Sequence, residues 1–304
     1  MILKEKDSID TNLEQLENIR NIPNLSKEQL AKVEKELKLL RSGNKGEQDS
    51  AYFINFYYKD SPNWAVIHDL RIECDNCIAQ IDHLLINRCL DFYVLETKNY
   101  ARGIKVTEHG EFLVWFQNRY IAIESPIEQN QRHVKVLKSL LQGEDLLPKR
   151  LGFSLQPDFL PYILVSPESR ITRPQAKDFN TDMLIKADTF YKQTQDNLNN
   201  ESILSSIGSM AKIISQDTLK EIGEKLVSYH KPITMNYYDK FGISRTQVLE
   251  SSKTSVSLRQ DQSKYYCYNC KKSISEKIAS FCFNNKNRFK GKAYCYDCQK
   301  IFST

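Results

Sequence analysis

Residues 80–100 read QIDHLLINRCLDFYVLETKNY. Most of this stretch is apolar enough for two buried strands, 81–86 and 92–95. Yet Asp82 sits inside the first, and Glu96 and Lys98 close the second. Residues two apart on a strand share a face, so Glu96 and Lys98 point the same way as Val94, while Tyr93, Leu95 and Thr97 point to the other side. If the two strands pair, the Asp82 carboxylate lies near Glu96. Neighbouring carboxylates repel when both are ionised. A divalent cation between them removes the conflict, and oxygen donors of this kind suit Mg²⁺ or Mn²⁺. Such a cation acidifies water, and a lysine alongside can orient that water or hold charge building on a phosphate. The chemistry indicated is phosphodiester hydrolysis. The same residues also read as a strand-end ion pair, Glu96 with Lys98, plus an Asp82 that caps a turn, because structural ion pairs collect these residue types too.

The elements that must hold this cluster follow from periodicity. Ser26 opens SKEQLAKVEKELKLL, with Leu30, Val33, Leu37 and Leu40 on one helical stripe. Ser26 with Gln29 has the form of a capping box. SGNKGEQ predicts a break at Gly43 and Gly46, after which a second helix carries Glu47, Ala51, Ile54 and Tyr58. WAVIHDLRI, QIDHLLI and FYVLETK read as strands. GIKV and FLVWF flank a turn at 108–110 as a hairpin, and RYIAIES adds a strand. Pro126 then opens a helix, PIEQNQRHVKVLKSLLQ, with proline suited to the first turn. PYILVS, 161–166, is one more buried strand. Residues 167–231 read as helical, and the serine-rich 242–263 as a linker. The order predicts a mixed α/β layer structure.

The residues Gly46-Glu47, the run Gln80-Ile81-Asp82-His83-Leu84-Leu85, the run Leu95-Glu96-Thr97-Lys98-Asn99-Tyr100, and Pro126 with Gln129 and His133 resemble the nuclease-related domain (NERD) family. That family resembles the PD-(D/E)xK nucleases, whose core is a helix, a three-stranded meander, a helix and a further strand. The resemblance covers about residues 43–166. It implies a PD-(D/E)xK-like α/β core in which Asp82 and Glu96 match the metal-binding acids, Lys98 the catalytic lysine and Glu47 the acid of the first helix. Ile81 stands where the motif's name has proline. Nuclease activity with Mg²⁺ or Mn²⁺ is what the resemblance implies, and members of such folds also exist that bind without cutting. Gln129 and His133 lie one turn apart on a helix face. They read equally as a substrate-facing pair or as a helix packed on the sheet with a hydrogen-bonded histidine. His83 points away from Asp82 and reads as core.

Four of the eight cysteines form two knuckles, Cys267-x2-Cys270 and Cys295-x2-Cys298, separated by 24 residues. That spacing predicts a tetrahedral zinc site with four thiolate ligands. A segment of this length needs such a metal to fold. Cys282 reads as packing outside the quartet, in a strand-like run with Phe281 and Phe283. Cys74-x2-Cys77 surrounds Asp75-Asn76 and reads as a hairpin turn with flanking thiols. Residues 264–304 carry nine Lys or Arg and two acids, interleaved with Tyr265, Tyr266, Tyr268, Phe281, Phe283, Phe289, Tyr294 and Tyr296. Aromatic faces stack on unpaired bases and cations meet phosphates, so the segment suits nucleic acid. It resembles the zinc ribbons of topoisomerase-like C-termini. A solvated basic surface or a protein-docking module would have the same composition.

A hydrophobic fraction of 40% supports a real core, and a net charge of +5 permits a polyanionic partner. No stretch approaches a membrane span, and MILKEKDSIDTNLEQ has no signal-peptide apolar run. The expected compartment is therefore the cytoplasm, where thiols stay reduced. The domains read as an N-terminal helical extension at 1–42, a nuclease-like domain at 43–166, a helical region at 167–241, a linker at 242–263 and a zinc ribbon at 264–304. The expected partner is nucleic acid, DNA favoured over RNA, with the N-terminal helix free to dock a protein.

Overall fold

The computed structural model describes residues 1–100, 102–199, 212–244, 247 and 265–302. The chain divides into two units, one of Met1–Glu17 and Lys32–Tyr237, the other of Asn18–Ala31 and Tyr238–Thr304. The expected linker at 242–263 lies outside the described residues, apart from 242–244 and 247, as do 200–211 of the expected helical region.

The first unit is built on a six-stranded sheet. β1 (Ile2–Lys4) pairs in parallel with β2 (Trp64–Cys74), which opens an antiparallel meander with β3 (Cys77–Asn87) and β4 (Asp91–Lys98). A smaller sheet holds the hairpin of β5 (Ile104–Val106) and β6 (Phe112–Phe116), then β7 (Arg119–Ile123). A short hairpin of β8 (Lys149–Arg150) and β9 (Phe153–Ser154) follows. The chain then returns to the main sheet with β10 (Asp158–Val165), parallel to β4. β11 (Ile171–Thr172) joins the edge of the smaller sheet at β5, and β12 (Leu184–Lys186) continues the main one in parallel from β10. The main sheet therefore runs β1-β2-β3-β4-β10-β12.

Helices cover both faces of the main sheet. After α1 (Asp10–Arg20), α2 (Lys27–Tyr58) packs Ile54 and Tyr58 on Val66, Leu85, Tyr93 and Leu95. On the other face α3 (Pro126–Gly143) packs Val134, Leu137 and Leu141 on Ala65, Ile67, Leu84, Phe92 and Val94. α4 (Phe190–Asn199) adds Phe190 to the α2 side, and α5 (Gln216–Ser228) adds Leu219 and Leu226 to the α3 side. The mixed α/β class and the helix–meander–helix–strand order expected from the sequence are present. The Ser26 capping box also forms, with Gln29 N donating to Ser26 Oγ and Ser26 N to Gln29 Oε1, both at 3.1 Å.

Three expectations change. The predicted break at Gly43 and Gly46 is absent, because α2 runs unbroken from Lys27 to Tyr58. Gly46 is there for proximity: a Cβ on it would stand 2.8 Å from Asn99 Cβ. Burial of one face carries the helix through two poor helix formers. The stretch 167–231 is not continuously helical, since β11 and β12 lie within it. Leu184 and Ile185 are too short an apolar run for period to separate strand from helix, and their burial beside β10 decides it. The first residues are not all helical extension either, since Ile2–Lys4 adds a strand to the main sheet.

No helix among the described residues is long and apolar enough to cross a membrane.

Candidate active site and cysteine cluster

The meander contains an irregularity that creates the site. Ala65 and Ile67 face the α3 side, and so do Leu70 and Ile72, so alternation in β2 skips between 67 and 70. β3 does the same between Ile81 and Leu84. The strands stay in one register, Ile67 opposite Leu84 and Leu70 opposite Ile81, which puts Asp69 across from Asp82. Asp69 takes up the distortion with φ +54, a conformation that aspartate tolerates better than most residues. β3 and β4 pair only as far as His83 and Leu95. Asp82 and Glu96 come next along that register, just where the two strands stop bonding.

Around this point Asp82 Oδ2 accepts from Thr97 N at 2.6 Å. Lys98 Nζ donates to Glu96 Oε1 at 2.6 Å and to Gln129 Oε1 at 3.0 Å. α3 is aimed by its start and its middle. Ser125 Oγ caps Glu128 N, Pro126 occupies the first turn, and the buried Asn130 amide donates to Val94 O and Tyr162 O across β4 and β10. His133 Nδ1 thereby stands 3.4 Å from Glu96 Oε2, and both atoms are buried without a hydrogen-bond partner. Glu47 is drawn elsewhere, to Lys6 Nζ at 2.8 Å.

The structure therefore brings Asp82, Glu96, Lys98, Gln129 and His133 together. Glu47 stands close enough to push up the Asp82 carboxyl, after burial and Glu96 have done so. Burial is also the main reason the Glu96 and Glu47 carboxyls are raised; Lys98 and Gln129 pull Glu96 back, and Lys6 pulls Glu47 back while Asp69 and Glu96 add to the rise. Burial, with Lys98 and Arg132 nearby, lowers His133 to about 4, so its ring is neutral at pH 7. A carboxylate oxygen and, in the tautomer that carries its proton on Nε2, the facing imidazole Nδ1 both offer lone pairs to a cation. The residues present thus fit a divalent metal. They are not drawn in as tightly as the cysteines, the sole group among the described residues whose three or more ligand atoms lie within 4.8 Å of one another.

His83 packs away from the acids, as its strand position predicts. Its Nδ1 lies 2.8 Å from His68 Nδ1, and His68 Nε2 lies 2.9 Å from Asn55 Oδ1 on α2. Sequence reasoning missed Asp69, which accepts from Gln80 Nε2 at 3.1 Å. The signal was available, since His-Asp interrupts WAVIHDLRI as Asp-His interrupts QIDHLLI. Cys74 and Cys77 close the β2–β3 hairpin as cross-strand partners, with Asp75 (φ +50) and Asn76 (φ +59) making the turn.

In the second unit the sulfurs of Cys267, Cys270, Cys295 and Cys298 all lie within 4.8 Å of one another, with Cys270 and Cys295 at 3.6 Å. Burial raises the Cys267 thiol, but backbone N–H groups of Cys270, Cys295 and Asn269 outweigh it and bring it to about 6. The Asn269 amide lowers Cys298, yet the crowding sulfurs and burial push it up to about 12. Four such thiols ionise together only around a cation, and the quartet is compatible with structural zinc in a ribbon. Among the described residues of this unit, strand pairing is limited to Tyr265–Tyr266 with Ser273–Ile274. Cys282 stays outside the quartet, taking hydrogen bonds from Tyr294 N at 3.4 Å and Gln299 Nε2 at 3.3 Å. It lies on the helix Glu276–Asn284 rather than in the expected strand-like run. Ile278, Ala279, Cys282 and Phe283 have the i, i+1, i+4, i+5 spacing of one helical face packed on the cysteines.

Residues 42–164 match the family model of the nuclease-related domain. The match holds α2 from its middle onward, the whole meander, α3 and nearly all of β10, and so every residue of the candidate active site. It leaves the cysteine quartet outside. The matched domain suggests a nuclease-related function and a nucleic-acid partner. No curated protein and no solved structure matches the chain in comparison.

Proposed function

We propose that the chain is a metal-dependent nuclease that hydrolyses phosphodiester bonds at the Asp82–Glu96–Lys98 cluster, and that its zinc module helps to hold the nucleic acid. One observation carries the reading. Glu96 Oε2 is buried, lacks a hydrogen-bond partner, and faces an equally unpartnered His133 Nδ1 at 3.4 Å. A buried unsatisfied carboxylate oxygen is costly unless something is meant to meet it.

On this reading Asp82 and Glu96 hold Mg²⁺ or Mn²⁺, with Glu47 and His133 in reserve around them. When bound, the cation supplies Lewis-acid polarisation of a phosphoryl oxygen and acidifies water at the site. Lys98, released from Glu96, holds the charge that grows on the non-bridging oxygens as water adds to phosphorus and the far P–O bond breaks. Gln129 keeps Lys98 aimed. The attacking water gives up a proton to solvent as its bond to phosphorus forms, and the leaving oxygen departs with a proton drawn from solvent or from Lys98. In the zinc module, exposed Tyr268 and Tyr296 sit beside cations, with Lys292 Nζ 3.7 Å from the Tyr268 ring centre and Lys300 Nζ 5.4 Å from that of Tyr296. Rings and cations so arranged suit bases and phosphates.

A second reading has its own support. Lys98 pairs directly with Glu96, and Lys6 with Glu47, as they would in a protein that binds nucleic acid without cutting it. Purified protein incubated with labelled single- and double-stranded DNA and RNA, with and without added Mg²⁺ or Mn²⁺, separates the two. Metal-dependent cleavage supports the nuclease; salt-sensitive binding with no cleavage of any substrate supports the silent binder.

A further inference from the structure

Two clefts of opposite character lie near the end of β4: Lys98 reaches Gln129, which lines one, and Asn99, the next residue, lines the other. On the α3 side a cleft of about 510 Å³ contains Gln129 and His133, together with Arg132, Lys135 and one acid, Asp75. On the α2 side a cleft of about 570 Å³ begins at Asn99, the residue after Lys98. Its charged groups are Lys45, Asp49 and Glu168, and Lys45 is already tied to Asp49 at 2.6 Å. One cation against two acids repels a phosphate. The cleft also holds the rings of Tyr52 and Phe53.

Lys45, Asp49, Tyr52 and Phe56 fall at i, i+4, i+7 and i+11 on one face of α2, a row of about 16 Å at the helical rise. Tyr52 and Phe56 are each 65% exposed, and the core makes no use of these faces. Their ring centres lie 6.5 Å apart, and Tyr52 meets Phe53 edge-on at 5.6 Å. Asn99 is held in place by donation from Nδ2 to Ser42 O at 3.0 Å. A planar, uncharged group with amine hydrogens at its edge would stack on these rings and donate to Asp49 or Glu168. An unpaired nucleobase has that chemistry, and a base that is paired in a duplex does not present it.

We propose that the α2 cleft is a nucleobase site, which takes an unpaired base next to the bond lying over Lys98 while Arg132 and Lys135 meet phosphates on the α3 side. This rests on the nuclease reading above and adds the substrate class: single strands, or strands with a base turned out of the stack.

The test uses the full chain with no Mg²⁺ or Mn²⁺ added, so that binding is read without cleavage. The probes are short single strands carrying 2-aminopurine at successive positions, whose fluorescence is quenched by stacking, and the matching duplex. The parent protein should quench the single strand and bind it more tightly than the duplex. The double variant Tyr52→Ala with Phe56→Ala should lose the quenching and bind the single strand on the order of tenfold to a hundredfold more weakly, as for the loss of a stacked base. Tyr52→Phe should behave as the parent. Both rings are exposed, so the fold survives their truncation. Binding without quenching, or quenching equal in parent and double variant, overturns the base site and leaves the nuclease reading standing. Failure to bind any oligonucleotide overturns both. A parent that self-associates, and becomes monomeric in the double variant, shows that the aromatic row is an interface between copies and overturns the base site.

Discussion

Gly43 and Gly46 lie one turn apart in the same helix and should respond oppositely to alanine. Replacing glycine by alanine inside a helix gains about 1 kcal/mol of propensity. At Gly43 the new Cβ meets only Glu47 Oε1, at 3.9 Å, so that gain should be realised. At Gly46 the Cβ would stand 2.8 Å from Asn99 Cβ and 3.5 Å from its Cγ. Neither α2 nor the end of β4 can shift freely, and overpacking of this kind costs about 1–3 kcal/mol. Set against the gain of about 1 kcal/mol, Gly46→Ala should be neutral to about 2 kcal/mol less stable, and the two variants should differ by about 1–3 kcal/mol. Urea unfolding followed by tryptophan fluorescence reads this unit directly, since both tryptophans, Trp64 and Trp115, lie in it. Asn99 follows Lys98 in the chain, so Gly46→Ala should also slow any cleavage, while Gly43→Ala should not. Equal stabilisation by the two substitutions would refute the close approach of α2 to Asn99.

Other outcomes follow from the buried histidines and the cysteines. Burial chiefly, and Lys4 next, lowers His68 from 6.5 to about 4, against the pull of Asp69. The unfolded chain therefore takes up a proton that the folded one refuses, and stability is lost as pH falls from 6.5 towards 4. Relative to His68→Gln, the parent should lose about 3 kcal/mol over that window, at roughly 1.36 kcal/mol per unit; identical urea-midpoint profiles would contradict it. The purified chain should carry one zinc, measured by atomic emission after dialysis. Cys295→Ser should lose it, and Cys282→Ser should keep it. Deleting residues 264–304 should weaken nucleic-acid binding and flatten its dependence on salt, because fewer phosphates are neutralised; an unchanged slope would make the module a protein-docking element instead.

What the sequence disclosed depended on how local the signal was. The meander, α3 and its Pro126 start were readable because alternation, helical period and a first-turn proline are local patterns, whereas the Ser125 cap reads as the end of the preceding strand. The closeness of Asp82 to Glu96 followed from strand parity once the two runs were assumed to pair. What escaped was non-local. Gly46 signals a break on propensity, while its purpose is the approach of Asn99, 53 positions later. Leu184–Lys186 is too short to declare itself, and only β10 makes it a strand. Asp69 was hidden because its importance lies in the skipped alternation it shares with Asp82 across β2 and β3. The partnership of Glu47 with Lys6 depends on the N-terminal segment running beside β2, which no motif announces. In the cysteine-rich segment the quartet was legible from spacing, but the helix carrying Cys282 was not, because SFCFNN alone fits either period.

The most direct test is the rate of cleavage of a labelled single strand as Mn²⁺ is added, measured for the parent, Asp82→Asn and Lys98→Met. Asn can keep the hydrogen bond from Thr97 N and Met the aliphatic length of the lysine, so the fold should survive both changes. The parent should cut in a Mn²⁺-dependent, saturable way. Asp82→Asn should lose cleavage together with the saturation, and Lys98→Met should bind the strand but fail to cut it. Cleavage by Lys98→Met at the parent's rate, or a parent that cuts no better with Mn²⁺ than without, would contradict the account.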